Sequence, residues 1–415
     1  MRIVVANSSD RWIGGIETYA GLLMPALVER GHEVLFFHER TDGTDRPLIP
    51  SLERTQRVSI GRGGLAGAMD AVRAWKPDVL FSQWLDEPAH EAAALELAPA
   101  VLFAHAYFGT CISGSKTHRV PQVRQCDRQF GPACLALYLP RRCGGLSPRT
   151  ALAEYGRQRR RQATLRRYSR VVTFSAHMRR EYLAHGLEPQ RVTQLPPIYP
   201  SLLEYAGGTP APAADALRIC YVGRIERLKG LRLLIEALPQ IATSVGRPVR
   251  LVVAGDGPDA GACRAMASDV SLRTPAVSIE FLGWQPQARC VDVTLASDVL
   301  AMPSLWPEPF GFTGAEAVRR GVPVAAFSSG AIPEWLADGI NGALAPADPP
   351  TAAGLADAVR RASMIVAPRP AGHEVRAQAV AALNEHVDRV VEVLAASART
   401  AGRVPSSANR PGAHG

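Results

Sequence analysis

The sequence predicts an α/β protein in which two doubly wound domains lie in tandem and face each other across a cleft. Short apolar runs typical of buried strands alternate with helical apolar periods, the alternation stops at a segment of small residues, and it then starts again. The length of 415 residues suits two or three domains. With 47% hydrophobic and 20% charged residues, the composition is that of an ordinary globular protein, which excludes the disordered and fibrous classes.

The first domain is expected over residues 1–200. An apolar run opens it, and after the turn at Gly14 and Gly15 apolar residues recur with a helical period that ends at Gly31. Strand and helix then continue to alternate, as expected for a parallel sheet. The strands are predicted at residues 2–6, 32–37, 78–82, 100–104 and 171–175.

A linker is predicted at residues 201–217, which are rich in Gly, Ala and Pro. The second domain is expected over residues 218–396 and ends in a helix at residues 373–396, and residues 397–415 predict a disordered tail. Because ligands of open parallel sheets bind beyond the carboxyl ends of the strands, we expect the chemistry in the cleft between the sheets. The other elements of this domain are strands at 218–222, 249–254, 278–282, 298–302 and 322–327 and helices at 229–242 and 311–320.

The net charge of +9 lies in one segment of the chain. Residues 116–191 hold 17 basic and 4 acidic side chains, whereas residues 201–415 are neutral. Seven arginines crowd residues 157–170 and predict a basic helix face, which would attract an anionic acceptor or an anionic membrane surface. A solvated face in an Arg-rich chain is the alternative. No recognised nucleic-acid motif accompanies the arginines, so nucleic acid is not the expected partner.

The ends of the chain and the cysteines indicate a cytoplasmic location. No apolar stretch approaches the about 18 residues of a spanning helix, and the first apolar run is too short for a signal-peptide core. Seven cysteines do not suit a secreted disulfide framework. Four of them lie close together but lack the C-x-x-C pairs of common zinc sites, so a structural metal and separate thiols both stay open, and we expect no metal. These four are Cys111, Cys126, Cys134 and Cys143.

Two glutamates, Glu308 and Glu316, lie eight residues apart between a predicted strand and a predicted helix. On one regular helix they would be about 12 Å apart along the axis. The carboxylate pairs of glycosidases lie at roughly 5–9.5 Å, so a hydrolytic pair is disfavoured. Two acceptors at this separation suit an extended ligand rich in hydroxyl groups, and the helix start near Gly311 suits a phosphate between them.

Two cations, Arg224 and Lys229, lie in the loop that leaves the first strand of the second domain. At that edge of the sheet they could neutralise a departing diphosphate, a task often performed by a divalent metal. No Asp-x-Asp sequence occurs in the chain, so one common metal anchor is missing, and side-chain cations would replace it.

Taken in order, these motifs resemble those of the family 4 glycosyltransferases, whose GT-B fold has two Rossmann-like domains. The resemblance implies transfer of a sugar from a nucleotide-sugar donor with retention of configuration, without a metal and without a cofactor. The motifs that carry the resemblance are Gly14-Gly15-x-Glu17, Gly223-Arg224, Lys229-Gly230, Gly255-Asp256-Gly257-Pro258, the pair Glu308 and Glu316, and Gly321-Val322-Pro323-Val324.

The resemblance also implies roles for single residues on the donor side of the cleft. Glu308 and the backbone of Phe310 and Gly311 would hold the hydroxyl groups of the donor sugar. Glu316 would hold the ribose.

In the same way, Arg224 and Lys229 would bind the diphosphate, and Gly15 would let backbone N–H groups approach it from the first domain. His105 follows the strand at 100–104 and matches the histidine that such enzymes place against the reacting sugar. Its imidazole could stabilise positive charge that develops at the anomeric carbon. A histidine packed at a strand end is the structural alternative.

The expected protein is therefore a metal-independent hexosyltransferase with a membrane-associated or anionic acceptor, a glycan or a lipid, bound by the first domain. It would act in cell-envelope or polysaccharide biosynthesis, peripherally on the inner face of the membrane. A GT-B sugar-nucleotide epimerase and a non-catalytic binding protein are the alternatives. A remote alternative is an NAD(P)-dependent enzyme. Gly255-x-Gly257-x-x-Ala260 could be a dinucleotide fingerprint with Glu280 downstream. Pro258, however, suits a simple turn followed by the start of a helix.

Overall fold

The structure is a computed structural model that describes residues 1–11, 14–40, 55–204 and 215–401. It contains two large parallel sheets, one in each half of the chain, and a small two-stranded sheet. Helices alternate with the strands of both large sheets. The predicted α/β class with two doubly wound domains is confirmed. Within the described ranges, no helix is both long and apolar enough to cross a membrane.

The first half of the chain contributes nine strands to the described structure. They are β1 (Arg2–Ser9), β2 (Glu33–Arg40), β3 (Gln56–Ser59), β4 (Val79–Ser82), β5 (Ala100–Phe103), β6 (Thr117–His118), β7 (Arg124–Gln125), β8 (Arg170–Thr173) and β9 (Val192–Gln194). Seven of them form a parallel sheet in the order β3-β2-β1-β4-β5-β8-β9, and β6 and β7 form a separate antiparallel pair. The sequence pattern missed the edge strands β3 and β9, because they are short and lack a continuous apolar run.

The helices of this half lie between its strands. They are α1 (Gly15–Glu29), α2 (Ile60–Trp75), α3 (Pro88–Ala94), α4 (Pro132–Tyr138), α5 (Pro148–Leu165) and α6 (Ala176–Ala184). Between β5 and α5 the chain makes a long excursion that includes β6, β7 and α4, and we call residues 106–147 the insertion. Its own apolar cluster is small and centres on Ile112, Phe130 and Tyr138.

The second half forms a six-stranded parallel sheet. Its strands are β10 (Leu217–Val222), β11 (Val249–Ala254), β12 (Val277–Gly283), β13 (Val299–Met302), β14 (Val324–Phe327) and β15 (Gly342–Ala345). Its helices are α7 (Leu231–Val245), α8 (Ala260–Arg273), α9 (Gln287–Leu295), α10 (Phe312–Arg319), α11 (Ala352–Ser363) and α12 (Gly372–Ala401). The strand order is β12-β11-β10-β13-β14-β15, so the winding reverses between β10 and β13. Of the predicted linker, residues 205–214 lie outside the described residues, and Leu217 already belongs to β10.

The helix α12 returns to the first domain. His386 Nδ1 donates to the Pro196 carbonyl, so its Nε2 accepts a hydrogen bond of 2.9 Å from the Tyr19 hydroxyl of α1. Asp388 pairs with Arg30 at 2.7 Å. The second domain predicted over residues 218–396 thus includes the helix α12, which packs against α1 of the first domain. The disorder expected from residue 397 is wrong for residues 397–401, which continue α12, and residues 402–415 lie outside the described residues.

Candidate active site

A cavity of about 510 Å³ lies between the two sheets. It is lined by both domains, and every residue that the sequence predicts for the donor or for catalysis borders it. Their individual roles stay predictions, but residues of one active site must line the same cavity, as these residues do. These residues are Gly15, His105, Arg224, Lys229, Glu308, Phe310, Gly311 and Glu316.

The topology of the sheets explains why distant residues meet here. Gly15 follows β1 and His105 follows β5, whereas Arg224 follows β10 and Glu308 follows β13. The carboxyl ends of parallel strands lie at one edge of a sheet, and a crevice forms where the strand order reverses. β10 and β13 are the pair at which the second sheet reverses, so the loops of Arg224 and Glu308 border that crevice.

Glu308 is buried and forms an ion pair inside the cleft. Its Oε1 accepts hydrogen bonds from Lys229 Nζ at 2.7 Å and from Ser304 Oγ at 2.5 Å. The ammonium of Lys229 also lies 4.9 Å from the ring centroid of Trp306. The sequence predicts separate roles for Glu308 and Lys229, and the structure shows that they contact each other. A carboxylate removed from water needs such a partner, because its desolvation is otherwise uncompensated.

Arg224 lies at the edge of the cavity, with 69% of its side chain exposed. Its Nε is 2.6 Å from Glu226 Oε1. Gly15 borders the cavity from the other domain, and a Cβ atom there would meet no atom of the described residues within 4 Å. The described residues therefore leave space beside Gly15 for a ligand that approaches the start of α1.

The two glutamates of the motif do not share a helix, since α10 begins only at Phe312. Gly311 caps this helix in the left-handed region, at φ 87°, and a Cβ there would lie 2.8 Å from Met302 Cε. Glu316 is buried within α10, and its Oε1 accepts a hydrogen bond of 2.9 Å from the Ser201 backbone N–H. Burial raises the pKa of Glu316, and the nearby Arg320 opposes this shift.

His105 lines the cavity but carries no charge near neutral pH. Its Nε2 lies 2.8 Å from Gln83 Oε1, which can only accept, so Nε2 donates the hydrogen bond. The imidazole stacks on Phe103 at a centroid distance of 4.4 Å. Burial, and to a smaller extent the charge of His386, lowers the pKa of His105 to about 3. Gln83, which follows β4, orients this ring, and no sequence motif identified it.

We expect the pH profile of the enzyme to show no ionisation of His105. A pKa near 3 lies below the ordinary value of 6.5, so the neutral form prevails from about pH 5 to pH 9. His105→Ala should therefore lower the turnover number by about tenfold or more at every pH, without moving any inflection of kcat. Initial rates across this range check the expectation. A wild-type inflection near pH 6.5 that disappears in His105→Ala would contradict it.

Two hydroxyl groups of the first domain bind the carbonyls of the two prolines that flank Glu308. The Tyr107 hydroxyl donates to the Pro307 carbonyl at 2.7 Å, and Ser175 Oγ donates to the Pro309 carbonyl at 2.6 Å. Both donors belong to one domain and both acceptors to the other, so the position of the Glu308 loop depends on a closed cleft. Sequence reasoning missed both residues, because only the fold brings them to this loop.

Tyr107→Phe and Ser175→Ala should each lower kcat by about five- to tenfold, because each removes a hydrogen bond of about 1 kcal/mol to the Glu308 loop. Nucleotide affinity should change little, because neither hydroxyl belongs to the predicted donor contacts. Steady-state kinetics and nucleotide titration separate the two quantities. Tyr168→Phe is a matched control, since the buried Tyr168 hydroxyl has no hydrogen-bond partner among the described residues. An equal loss in the control would assign the effect to packing.

The glycines of the possible dinucleotide fingerprint serve internal packing. A Cβ at Gly255 would lie 1.9 Å from the Gly223 carbonyl oxygen, and one at Gly257 would lie 2.4 Å from the Ile225 carbonyl oxygen. Both glycines follow β11 and let this loop approach the neighbouring loop after β10. Close backbone approach therefore explains them without a cofactor.

The four clustered cysteines surround a small cavity of about 20 Å³ within the insertion. All four thiols are free, and burial raises the pKa of Cys143 to about 11. Across the described part of the chain, no three His, Cys, Asp or Glu side chains form a group that could hold a metal ion.

The basic helix face expected at residues 157–170 is partly used for packing. Arg161 is buried, donates to the Asp86 carbonyl at 2.8 Å and covers the ring of Trp84. Arg157 and Arg167 pair with acidic side chains of the same domain, Glu87 and Glu96. Part of the predicted basic face is therefore used where α5 packs against α3, and attraction of an anionic acceptor or membrane by the rest stays a prediction. The arginines of this stretch that stay exposed without an acidic partner among the described residues are Arg159, Arg160 and Arg166.

Two family models together cover most of the chain. "Glycosyl transferase 4-like domain" matches residues 14–197, and "Glycosyl transferases group 1" matches residues 210–364. The D-inositol 3-phosphate glycosyltransferase of Rhodococcus erythropolis is 25% identical over 348 residues, which are 80% of this chain and 75% of that protein.

A second relative comes from Corynebacterium glutamicum and is a GDP-mannose-dependent monoacylated alpha-(1-6)-phosphatidylinositol monomannoside mannosyltransferase. It is 31% identical over 186 residues, 42% of this chain and 45% of that protein. Among solved structures, Anabaena Alr3699/HepE in complex with UDP and glucose has a TM-score of 0.62 at 16% identity, with 95% of this chain and 100% of that chain covered. A likeness at this identity shows the fold.

Proposed function

Because the chain belongs to the family 4-like glycosyltransferases with the GT-B fold, we propose that it transfers a hexose from a nucleoside-diphosphate sugar to an acceptor, with retention of configuration and without a metal. One observation carries the proposal. The residues predicted for the donor and for catalysis come from both domains and line one cleft, in which the buried Glu308 pairs with Lys229.

The diphosphate would lie between Lys229 and Arg224 on one side and the start of α1 at Gly15 on the other. Lys229 is half-buried beside Glu308 and Arg224 is more exposed at the edge of the cleft, so the two cations could contact the inner and outer phosphates of a diphosphate. A helix N-terminus adds free N–H groups and a favourable dipole. These groups would neutralise the negative charge that grows on the leaving group.

In the proposed reaction, the bond between the anomeric carbon and the diphosphate oxygen breaks, and its electron pair leaves with the diphosphate. The acceptor hydroxyl oxygen forms the new bond on the same face, and its proton passes to the leaving phosphate oxygen. Positive charge develops at the anomeric carbon meanwhile. The neutral His105 can orient the sugar beside this carbon without adding a repelling charge.

The acceptor is proposed to be anionic and membrane-associated, in cell-envelope or polysaccharide synthesis. The names of both relatives specify inositol phosphate or phosphatidylinositol compounds, and the insertion and α5 carry most of the excess positive charge of the chain.

A thermal-shift panel of nucleotides and nucleotide sugars tests the proposed function. A ligand at 100 times its Kd stabilises the folded protein by about 2.7 kcal/mol, so a true donor should raise Tm clearly. Product analysis with that donor then decides the reaction, and the anomeric signal of the product in NMR decides retention. Conversion of donor without an acceptor would indicate an epimerase. Binding without any turnover would indicate a binding protein, and a panel without any Tm shift would overturn the proposal.

A further inference from the structure

A second cavity, of about 960 Å³, opens beside the cleft, and we call it the basic groove. Its walls are the insertion, α6 and loops of the second domain. Five cationic side chains line it, and these are Lys116, Arg124, Arg128, Arg141 and Arg180.

Two of the five cations hold the walls of the basic groove together. Lys116 Nζ pairs with Glu181 of α6 at 2.8 Å, and this lysine is almost fully buried. Arg124 pairs with Asp348 at 2.6 Å, across the two domains. Their charges are therefore already compensated, and they give the groove its shape.

The other three cations, Arg128, Arg141 and Arg180, are exposed and have no acidic partner among the residues that the structure describes. Asp127 is the remaining acidic residue of the groove, so the unpaired side chains carry a net charge of +2. Their field acts on a neighbouring group. Burial first, and then the charges of Arg141 and Arg128, lower the pKa of His118, which also lines the groove.

The basic groove adjoins the candidate active site through one peptide bond. Pro307 lines the groove and Glu308 lines the cleft, and consecutive Cα atoms lie about 3.8 Å apart. Gln125 Nε2 of the insertion donates to Ser329 Oγ of the second domain at 2.9 Å, close to the pair of Arg124 and Asp348. A ligand in the groove would therefore contact both domains beside the candidate active site.

We propose that the basic groove binds the phosphate or diphosphate group of the acceptor. The proposal rests on the proposed function and names the class of its second substrate. Guanidinium groups suit this ligand, because their planar N–H donors bind phosphate oxygens in pairs. The volume leaves room for a ring attached to the phosphate. The sequence predicts the anion-binding surface on α5, whereas the basic groove lies between the insertion, α6 and loops of the second domain.

Inorganic pyrophosphate is the probe for the test, and calorimetric titration at fixed ionic strength is the measurement. The full-length chain carries Arg224→Gln and Lys229→Gln throughout, so that the cations of the donor pocket do not contribute. In this background, Arg128→Gln, Arg141→Gln and Arg180→Gln together should weaken binding at least tenfold.

The matched control changes three exposed arginines of the α5 region, Arg159, Arg160 and Arg166, to glutamine. It removes the same net charge from a surface outside the groove. Its pyrophosphate affinity should therefore stay within twofold. An equal loss in both triple variants would overturn the proposal in favour of a general charge effect, and no loss in the groove variant would overturn it directly. Unchanged thermal unfolding of both variants confirms that they fold.

Vesicles of phosphatidylglycerol in neutral lipid distinguish the source of the phosphate. If the groove variant loses vesicle binding as well as pyrophosphate binding and the control keeps both, the source is a lipid headgroup. If the groove variant loses pyrophosphate binding but keeps vesicle binding, the source is a soluble phosphorylated acceptor. The titration needs no turnover. A wild-type chain that binds no nucleotide sugar, with a groove that still binds pyrophosphate, would therefore refute the proposed function and leave the anion site standing.

Discussion

Glu308→Gln is expected to lower sugar transfer by about a hundredfold or more while the fold stays intact. The carboxylate accepts hydrogen bonds from Lys229 and Ser304 in a buried pocket, and the amide keeps its volume but loses its charge. A preorganised charged group that faces the reacting sugar is worth this much in comparable sites. Steady-state turnover with the donor from the thermal-shift panel is the measurement.

Glu280→Gln is the control for this prediction. Glu280 lies on β12, is about half exposed and pairs with Arg250 at the surface. A surface ion pair of this kind contributes roughly 0–1 kcal/mol, so the control should retain full turnover and nearly full stability. Turnover of Glu308→Gln within threefold of the wild type would exclude the proposed site.

Lys229→Gln is expected to weaken the binding of the nucleoside diphosphate by about a hundredfold and to lower Tm. The ammonium lies in the cleft at 2.7 Å from Glu308, and the proposed diphosphate would contact the same group. Its removal leaves the buried carboxylate of Glu308 without a cation, and this should cost less than the about 3–5 kcal/mol of a fully buried pair, because 31% of the Lys229 side chain is exposed. Titration with the nucleotide and thermal unfolding measure the two effects separately.

Two variants make the Lys229 prediction specific. Lys229→Arg keeps the charge and should recover part of the affinity. Arg227→Gln removes a cation from the same turn, but Arg227 is exposed and does not line the cleft, so its affinity should stay within twofold. An equal loss of nucleotide affinity in Arg227→Gln would contradict a specific role of Lys229.

Local sequence patterns predicted which loops carry the proposed donor residues, and these loops border one cleft. The glycine turn before α1, the cations after β10 and the pair of glutamates after β13 each occupy the loop that follows a strand, and the parallel sheets bring these loops together. The patterns could not show that Glu308 and Lys229 contact each other, because they lie 79 residues apart. They also could not place Glu308 outside α10.

Sequence patterns could not predict the contacts that close the cleft, because these contacts also join residues that are far apart along the chain. Tyr107 and Pro307 lie 200 residues apart, and Ser175 and Pro309 lie 134 residues apart. A tyrosine or a serine is common at the surface and in the core, so nothing in its neighbourhood along the chain marks it as a partner of a distant carbonyl.

The sequence by itself determined the α/β class, the two doubly wound domains and the loops that carry the predicted donor residues, because these depend on apolar periods and turns of local origin. The tertiary structure alone decided that α12 packs on the first domain, that the arginines of α5 are partly used in packing and that four arginines line the basic groove. An apolar period shows that a helix has a face to bury, but which surface covers that face depends on the packing of the whole chain.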